Sequence, residues 1–277
     1  MSTVTVTPST PAQPASGAVK RVGLREALNS EWAKIITVRS TYWTGLATVL
    51  VGVAISILLS LAITSNLSGM SADQRAKVDI SFTMLGLDFA MMIIGVLGVL
   101  VISSEYSTGM IRTSLSALPR RGMLMSAKAI VLAVIGLICG LLVAWGSYLC
   151  SLPFWTSKQI SFDLSSSGNL RAVFGAALAI MLVALLGFGI GSLLRHTAGS
   201  ISALLGLFFV APIMTSFLPG TWGKDINKFM PSNAAHAMIL TYHDPGYFTP
   251  LNGLLVLVAW IVILLTAAFL LFKKRDA

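Results

Sequence analysis

The sequence predicts an all-α membrane protein with six transmembrane helices. Three observations carry this prediction: 56% of the 277 residues are hydrophobic, only 10% are charged, and the mean hydropathy is +0.85. Soluble domains carry about 25% charged residues. A helix of roughly 20 apolar residues crosses a hydrocarbon core about 30 Å thick. Six apolar runs of this length predict spans at about 42–64, 82–102, 129–150, 172–194, 198–217 and 251–272, within a transmembrane domain of residues 41–277.

Two segments precede the first span. Residues 1–19 are rich in Ser, Thr, Pro and Ala and carry no charge or aromatic ring, which predicts a disordered cytoplasmic tail. In residues 20–40, apolar side chains recur at helical spacing between basic residues, which predicts an amphipathic interfacial helix containing Glu31, Trp32, Lys34 and Arg39. Glu31 falls on the apolar side of this helix. It is either a charge that reaches the headgroups or a tether to a cytoplasmic arginine.

The distribution of Lys and Arg predicts the orientation. One set of connecting segments carries thirteen of these residues and the other carries six. Because Lys and Arg are enriched in cytoplasmic loops, we expect a multi-pass protein of the cell membrane with both termini in the cytoplasm. The net charge of +9 is spread over several short segments beside the spans, so it does not indicate nucleic-acid binding.

A polar and basic stretch, residues 103–122, follows the second span and should face the cytoplasm. Gly109 marks a break after the span, and Pro119 ends about two helical turns that begin at Met110. The apolar residues Ile111, Leu115 and Leu118 lie on one side of these turns, and Arg112 lies on the other. From the residues alone, this short amphipathic helix either lies on the lipid headgroups or docks on a partner.

Residues 105–131, EYSTGMIRTSLSALPRRGMLMSAKAIV, resemble the cytoplasmic loop after the second span of ABC-2 type permeases. The matching positions are Glu105, Tyr106, Gly109, Ile111, Arg112, Leu115, Pro119, Arg120, Arg121 and Lys128. Residues 30–43, SEWAKIITVRSTYW, resemble the beginning of the family's first span, and the terminal LLFKKRDA resembles its basic ending.

The resemblance implies the non-catalytic transmembrane subunit of an ATP-binding cassette exporter. Its loop after the second span would be a coupling helix that docks on a cytoplasmic ABC ATPase, with these residues in the coupling role: Glu105, Tyr106, Gly109, Ile111, Arg112, Leu115, Leu118, Pro119, Arg120 and Arg121. The family implies two ATPase copies and a second permease subunit, in a homodimer or a heterodimer. ATP and Mg would be bound by the ATPase, because no phosphate-cradling G-x-x-x-x-G-K-(S/T) run occurs in this sequence.

The alternative is a six-span secondary carrier or envelope scaffold that works without an ATPase. The sequence leaves the transported substrate and the identity of the ATPase open under either interpretation.

Several residues within or near the spans are further candidates. Asp88 is an ionisable residue in the outer part of the second span, which makes it a candidate for the substrate pathway. The pairs Gly136–Gly140 and Gly187–Gly191 predict close helix packing, either within the chain or across a dimer. Residues 218–250 contain His236, His243 and Asp244, but their spacing is not that of a metal site. We expect a short re-entrant or interfacial helix there, with no metal and no catalytic residue.

Overall fold

The computed structural model of the chain describes residues 23–71, 74–75, 77–110, 121–219, 221–242 and 244–275. Every regular element in these ranges is helical. The first part of the fold comprises α1 (Leu24–Thr37), α2 (Arg39–Ser65), two short 3-10 helices (Leu67–Gly69 and Ile80–Met84) and α3 (Leu87–Ser107). The expected tail, residues 1–19, lies outside the described residues.

The second part begins with two long helices, α4 (Arg121–Thr156) and α5 (Ser167–Leu194). The next helix, α6, runs from Thr197 to Ser216 and contains a π-helical turn at Gly206–Val210. It is followed by α7 (Trp222–Lys228), α8 (Pro231–Ala237) and α9 (Pro250–Arg275). Six helices, α2 to α6 and α9, are long and apolar enough to cross a membrane. The prediction of a six-helix, multi-pass membrane protein is therefore confirmed.

Two helix boundaries differ from the predicted ones. The second span begins at Leu87 and not near residue 82, because Asp79 accepts hydrogen bonds from the backbone and hydroxyl of Ser81 and so begins a separate 3-10 helix. The interfacial segment ends at Val38, where the extended backbone separates α1 from α2. Arg39, which the sequence places in the interfacial helix, is consequently the first residue of α2.

The long helix α4 extends beyond the predicted span 129–150 at both ends. At 1.5 Å rise per residue its 36 residues are about 54 Å long, which exceeds the hydrocarbon thickness of a bilayer. The helix α4 is therefore longer than a membrane span requires, and its first turns pack against α1.

The core of the bundle is α5, which packs against α3 on one side and α4 on the other. The predicted glycine pairs make these contacts close. A Cβ atom on Gly140 of α4 would lie 2.4 Å from the Ala177 carbonyl oxygen of α5, and one on Gly187 of α5 would lie 2.1 Å from the Gly95 carbonyl oxygen of α3. Gly136 and Gly191 extend the same two interfaces. Both glycine pairs thus lie at helix contacts within one chain.

In the helix α2, small and polar residues face the bundle and large apolar residues face outward, as is typical of a membrane-spanning helix. Small and hydroxyl-bearing residues are buried against the bundle at every fourth position: Thr48, Gly52, Ser56, Ser60 and Thr64. Leucines point away from the bundle, where Leu50 and Leu58 are 59% and 62% exposed. Such an apolar outer surface suits lipid and not water.

The π-helical turn in α6 has a local cause. Pro212 has no N–H group with which to close the helical hydrogen bond to Phe208. The preceding turn widens instead, and the Ala211 N–H donates to the Gly206 carbonyl.

The bundle has two ends, the α1 end and the α8 end. The α1 end contains α1, the end of α3, the start of α4 and the α5–α6 turn. The α8 end contains α7, α8, the 3-10 helix Ile80–Met84 and the first turns of α3, α5 and α9.

Candidate functional site

Four charged side chains form a closed cluster at the α1 end, here called the charge ring. It consists of Glu31 and Lys34 from α1, Glu105 from α3 and Lys128 from α4. The Lys128 ammonium lies 2.6 Å from Glu31 Oε2 and 2.6 Å from Glu105 Oε1. Lys34 Nζ lies 2.8 Å from Glu31 Oε1 and 3.2 Å from Glu105 Oε1. Each ammonium therefore contacts both carboxylates.

Three members of the charge ring are removed from solvent. The side chains of Lys128 and Glu31 are each 2% exposed and that of Glu105 is 8% exposed, whereas Lys34 is 34% exposed. Burying a lone charge is costly, but two ammonium groups and two carboxylates balance each other here. Burial lowers the pKa of Lys34, but the hydrogen bonds and charges of Glu31 and Glu105 outweigh this and raise its pKa above the usual value. Lys34 is thus protonated at neutral pH.

Small apolar residues allow α1 to lie close enough to α4 to form the charge ring. Ala27 of α1 is buried against Leu124 and Ala127 of α4, and Leu28 packs at the edge of this contact. Glu31 lies one turn beyond Ala27, and Lys128 directly follows Ala127. This apolar contact therefore places Glu31 and Lys128 next to each other.

The charge ring borders a cavity of about 250 Å³ between α1, α2, α3 and α4. All four ring residues line it, together with apolar side chains of α1 and α3 and Met110. Glu105 Oε2 is buried and accepts no hydrogen bond within the described part of the chain. The cavity is thus charged at the ring, and its remaining lining combines the hydroxyls of Ser40, Thr41 and Ser104 with apolar side chains.

The charge ring flanks the segment that the sequence assigns to coupling. Glu105 lies in the last turn of α3, which ends at Ser107, and Gly109 follows in the left-handed region with φ of 72°. Arg121 begins α4, and Lys128 lies two turns further along. The remaining coupling residues lie outside the described residues: Ile111, Arg112, Leu115, Leu118, Pro119 and Arg120.

Two other predicted residues at this end, Tyr106 and Trp32, lie in different surroundings from the charge ring. The Arg195 guanidinium lies over the Tyr106 ring, 5.0 Å from its centroid, so Tyr106 contacts the α5–α6 turn. Next to it, Thr197 donates a 3.0 Å hydrogen bond to Ser103. Trp32 is 38% exposed on the outer side of α1 and does not join the charge ring.

The environment of Glu31 differs from both expectations drawn from the sequence. It does not reach toward headgroups, since it is buried, and its partners are Lys34 and Lys128 and not an arginine. Lys128 matched the family pattern but was not among the predicted coupling residues. In the sequence, Lys128 lies near the beginning of a long apolar run. A lysine that is buried there needs an acidic partner.

A second pair of ionisable residues lies at the α8 end. His236 Nε2 donates to Asp88 Oδ1 over 2.8 Å, and the two side chains are 35% and 42% exposed. Burial lowers the pKa of His236, but the hydrogen bond and charge of Asp88 more than offset this, so its pKa lies above the usual value. His236 therefore keeps its proton to a higher pH than an unpaired histidine does.

The sequence placed Asp88 near the outer end of the second span but did not identify His236 as its partner. It grouped His236 with His243 and Asp244 because they are close in sequence. His243 lies outside the described residues, and across the described ranges no group of three or more His, Cys, Asp or Glu side chains is arranged to hold a metal ion.

Asp79 connects the 3-10 helix before α3 to the segment after α8. Its Oδ1 accepts from Ser81, and its Oδ2 accepts from the Thr241 backbone N–H over 3.0 Å and from the Thr241 hydroxyl. The connection between α6 and α9, in which the sequence predicts one short helix, contains α7 and α8. Asp79 and Asp88 both hold this connection to the bundle.

The two ends therefore offer different chemistry. The charge ring joins α1, α3 and α4 beside residues 111–120, whereas the Asp88–His236 pair contains a titratable imidazole. Comparison with models of known protein families finds no family that matches the chain, and comparison with curated proteins finds no similar sequence.

Proposed function

We propose that this chain is the transmembrane subunit of an ABC-2 type exporter and that it transmits ATP hydrolysis by a separate cytoplasmic ATPase to its membrane helices. The observation that carries the proposal is the charge ring. It joins α1, α3 and α4 on both sides of residues 111–120, the segment that resembles a coupling helix.

The geometry favours a mechanical role for this junction. Residues 111–120 connect α3, whose last turn contains Glu105, with α4, in which Lys128 lies two turns from the start, and the Glu105 and Lys128 side chains are 2.6 Å apart. A force on the segment acts on α3 and α4 together, and the contacts of Glu31 with Lys34 and Lys128 carry α1 with them. Removing one partner of a buried ion pair costs about 3–5 kcal/mol, so the junction resists separation.

The resemblance supplies the partners in this proposal. Two copies of a cytoplasmic ATPase bind ATP and Mg, and a second permease subunit completes the pathway as a homodimer or heterodimer. The α1 end faces the cytoplasm, in agreement with the count of basic residues. An ATPase that contacts the coupling segment differently in its two nucleotide states would shift the bundle between two arrangements.

Co-expression with candidate ABC ATPases of the same organism, followed by reconstitution in liposomes, tests the proposal. Arg112→Glu should reduce ATP-driven export at least tenfold while membrane insertion and basal ATPase activity persist, because the charge reversal repels an acidic site on the ATPase. Arg75→Glu is the matched control, since Arg75 is exposed in the connection between α2 and α3, which belongs to the other end. Export at the wild-type rate by the Arg112 variant would overturn the coupling role.

A secondary carrier is the second candidate, and the Asp88–His236 pair is the observation that favours it. Ionisable side chains near membrane spans often form proton relays. A carrier would accumulate its substrate in liposomes under an imposed proton gradient without ATP, and Asp88→Asn would abolish that accumulation. ATP-dependent transport that is insensitive to the proton gradient would exclude this candidate.

A further inference from the structure

Arg171, in the first turns of α5 at the α8 end, is a cation whose nearest partners are neutral. Its Nη1 donates to the Met238 carbonyl over 3.2 Å, and its Nη2 donates to the Leu240 carbonyl over 2.6 Å. In the described ranges no carboxylate lies within ion-pair distance of the guanidinium. An arginine has five N–H donors, so three remain for another acceptor.

Arg171 lines a cavity of about 400 Å³ between the segment after α8 and the start of α9, to which Ala237, Leu240, Pro250 and Leu251 contribute apolar walls. The other polar groups there are the Thr241 and Thr249 hydroxyls, the Tyr242 phenol and the Asp244 carboxylate, beside the Phe248 ring. Asp244 Oδ1 accepts a 2.7 Å hydrogen bond from the Gly246 N–H. The cavity thus presents one cation and one carboxylate with aromatic rings between the α8 segment and α9.

Arg171 also lines an apolar groove of about 330 Å³ between α5 and α9. Phe174 and Leu178 form its α5 side, and Leu251 and Leu254 form its α9 side. From Arg171 to Leu178 the groove follows α5 for about 10 Å at 1.5 Å per residue. Arg171, Pro250 and Leu251 line both concavities, so the groove and the cavity are adjacent.

Asp79 acts electrostatically on Arg171 from beyond ion-pair distance. Both of its oxygens are occupied by Ser81 and Thr241. It therefore reduces the local positive charge but leaves the unused N–H groups of Arg171 available to a ligand.

We propose that this site binds a zwitterionic phospholipid. The phosphate binds Arg171, the ammonium lies toward Asp244 and the Tyr242 and Phe248 rings, and one acyl chain occupies the groove between α5 and α9. Guanidinium groups bind phosphate through several N–H donors, and ammonium groups bind carboxylates and aromatic faces. A lipid with an anionic headgroup would place neutral or negative groups beside Asp244. Free phosphate would leave the groove unused.

Native mass spectrometry of the delipidated full-length protein tests this site, with phosphatidylethanolamine, phosphatidylglycerol and inorganic phosphate as probes. We expect phosphatidylethanolamine to bind at least tenfold more tightly than phosphatidylglycerol. Arg171→Gln should lose at least tenfold in affinity for both lipids, and Asp244→Asn should lose the preference for phosphatidylethanolamine. Lys158→Gln removes one positive charge from an exposed residue at the same end and should bind like wild type.

Because Arg171 also holds two backbone carbonyls, a second variant separates lipid binding from folding. Leu254→Trp fills the groove without altering Arg171 and should weaken phosphatidylethanolamine binding at least tenfold at an unchanged melting temperature. Equal lipid affinity of wild type and Leu254→Trp, or equal binding of both lipids by wild type, would overturn the proposal. Competition by inorganic phosphate at the affinity of the lipid would instead show an anion site without a role for the acyl chain.

Discussion

Lys128 Nζ lies 2.6 Å from Glu31 Oε2, although the two residues are 97 positions apart in the chain. This contact attaches α1 to α4 through two side chains that are each 2% exposed. A helix that the sequence assigns to the membrane surface is therefore held to the bundle by a buried ion pair.

Lys128→Met should lower the free energy of unfolding by about 3–5 kcal/mol, because it leaves the buried carboxylates of Glu31 and Glu105 with the partly exposed Lys34 as their only ring partner. Unfolding in mixed micelles with a denaturing detergent measures the change. Lys158→Met at the other end should change it by less than about 0.5 kcal/mol.

Neutral replacements provide the complementary test. In the variant that combines Lys128→Met with Glu31→Gln and Glu105→Gln, no buried charge of the ring is left unpaired, so it should regain most of the lost stability. If the triple variant is as unstable as Lys128→Met, the loss comes from packing and not from charge.

The Asp88–His236 pair should make stability depend on pH. The pKa of His236 is raised in the folded protein above an unfolded value of about 6.5. The stabilisation is therefore complete below about pH 6.5 and is lost as the pH rises through the higher folded pKa. The melting temperature of wild type relative to His236→Gln, measured from pH 5 to pH 9, should show an advantage that shrinks with rising pH. A constant difference over this range would contradict the pair's role.

Asp79→Ala should release the segment after α8. The Thr241 N–H, which donates to Asp79 over 3.0 Å, should exchange with deuterium at least about tenfold faster, because hydrogen bonds to charged groups contribute about 1.5–3 kcal/mol. Asp163→Ala is the control, since Asp163 forms the same type of turn with Ser165 but lies in the exposed connection between α4 and α5. It should leave the Thr241 exchange rate unchanged.

Gly140→Ala should destabilise the bundle by about 1–3 kcal/mol, because its Cβ would lie 2.4 Å from the Ala177 carbonyl oxygen and force α4 and α5 apart. Gly206→Ala is the matched control in α6, where an added Cβ meets no atom within 4 Å. Thermal unfolding of the two variants should separate them. A Gly140 variant as stable as the Gly206 variant would contradict the close α4–α5 contact.

The sequence predicted the six membrane helices because each is a long apolar run, and that signal needs no tertiary information. It also indicated glycine packing, since G-x-x-x-G repeats on one face of a helix. It could not distinguish contacts within the chain from contacts across a dimer, because both require the same small residues. Only the position of Ala177 and Gly95 opposite Gly140 and Gly187 makes that distinction.

The charged residues were harder to predict. The local sequence interprets each charged residue of the ring, such as Glu31, Glu105 or Lys128, only as a charge near the end of a helix. Their pairing depends on how α1 packs on α4. The same holds for Asp88 and His236, which are 148 positions apart in the sequence. Ion pairs between distant segments leave no periodic pattern, so the sequence identified candidate residues but not their partners.

The main-chain contact between Gly95 and Gly187 also limits how the bundle can move. No side chain lies between α3 and α5 at this point that could change rotamer and let the helices slide. With α4 in similar contact through Gly140, the three helices behave as one block. In the proposed export function, a pathway would therefore open by displacement of the outer helices α6 and α9 relative to that block. Of these, α6 already contains a wide turn at which a helix can bend.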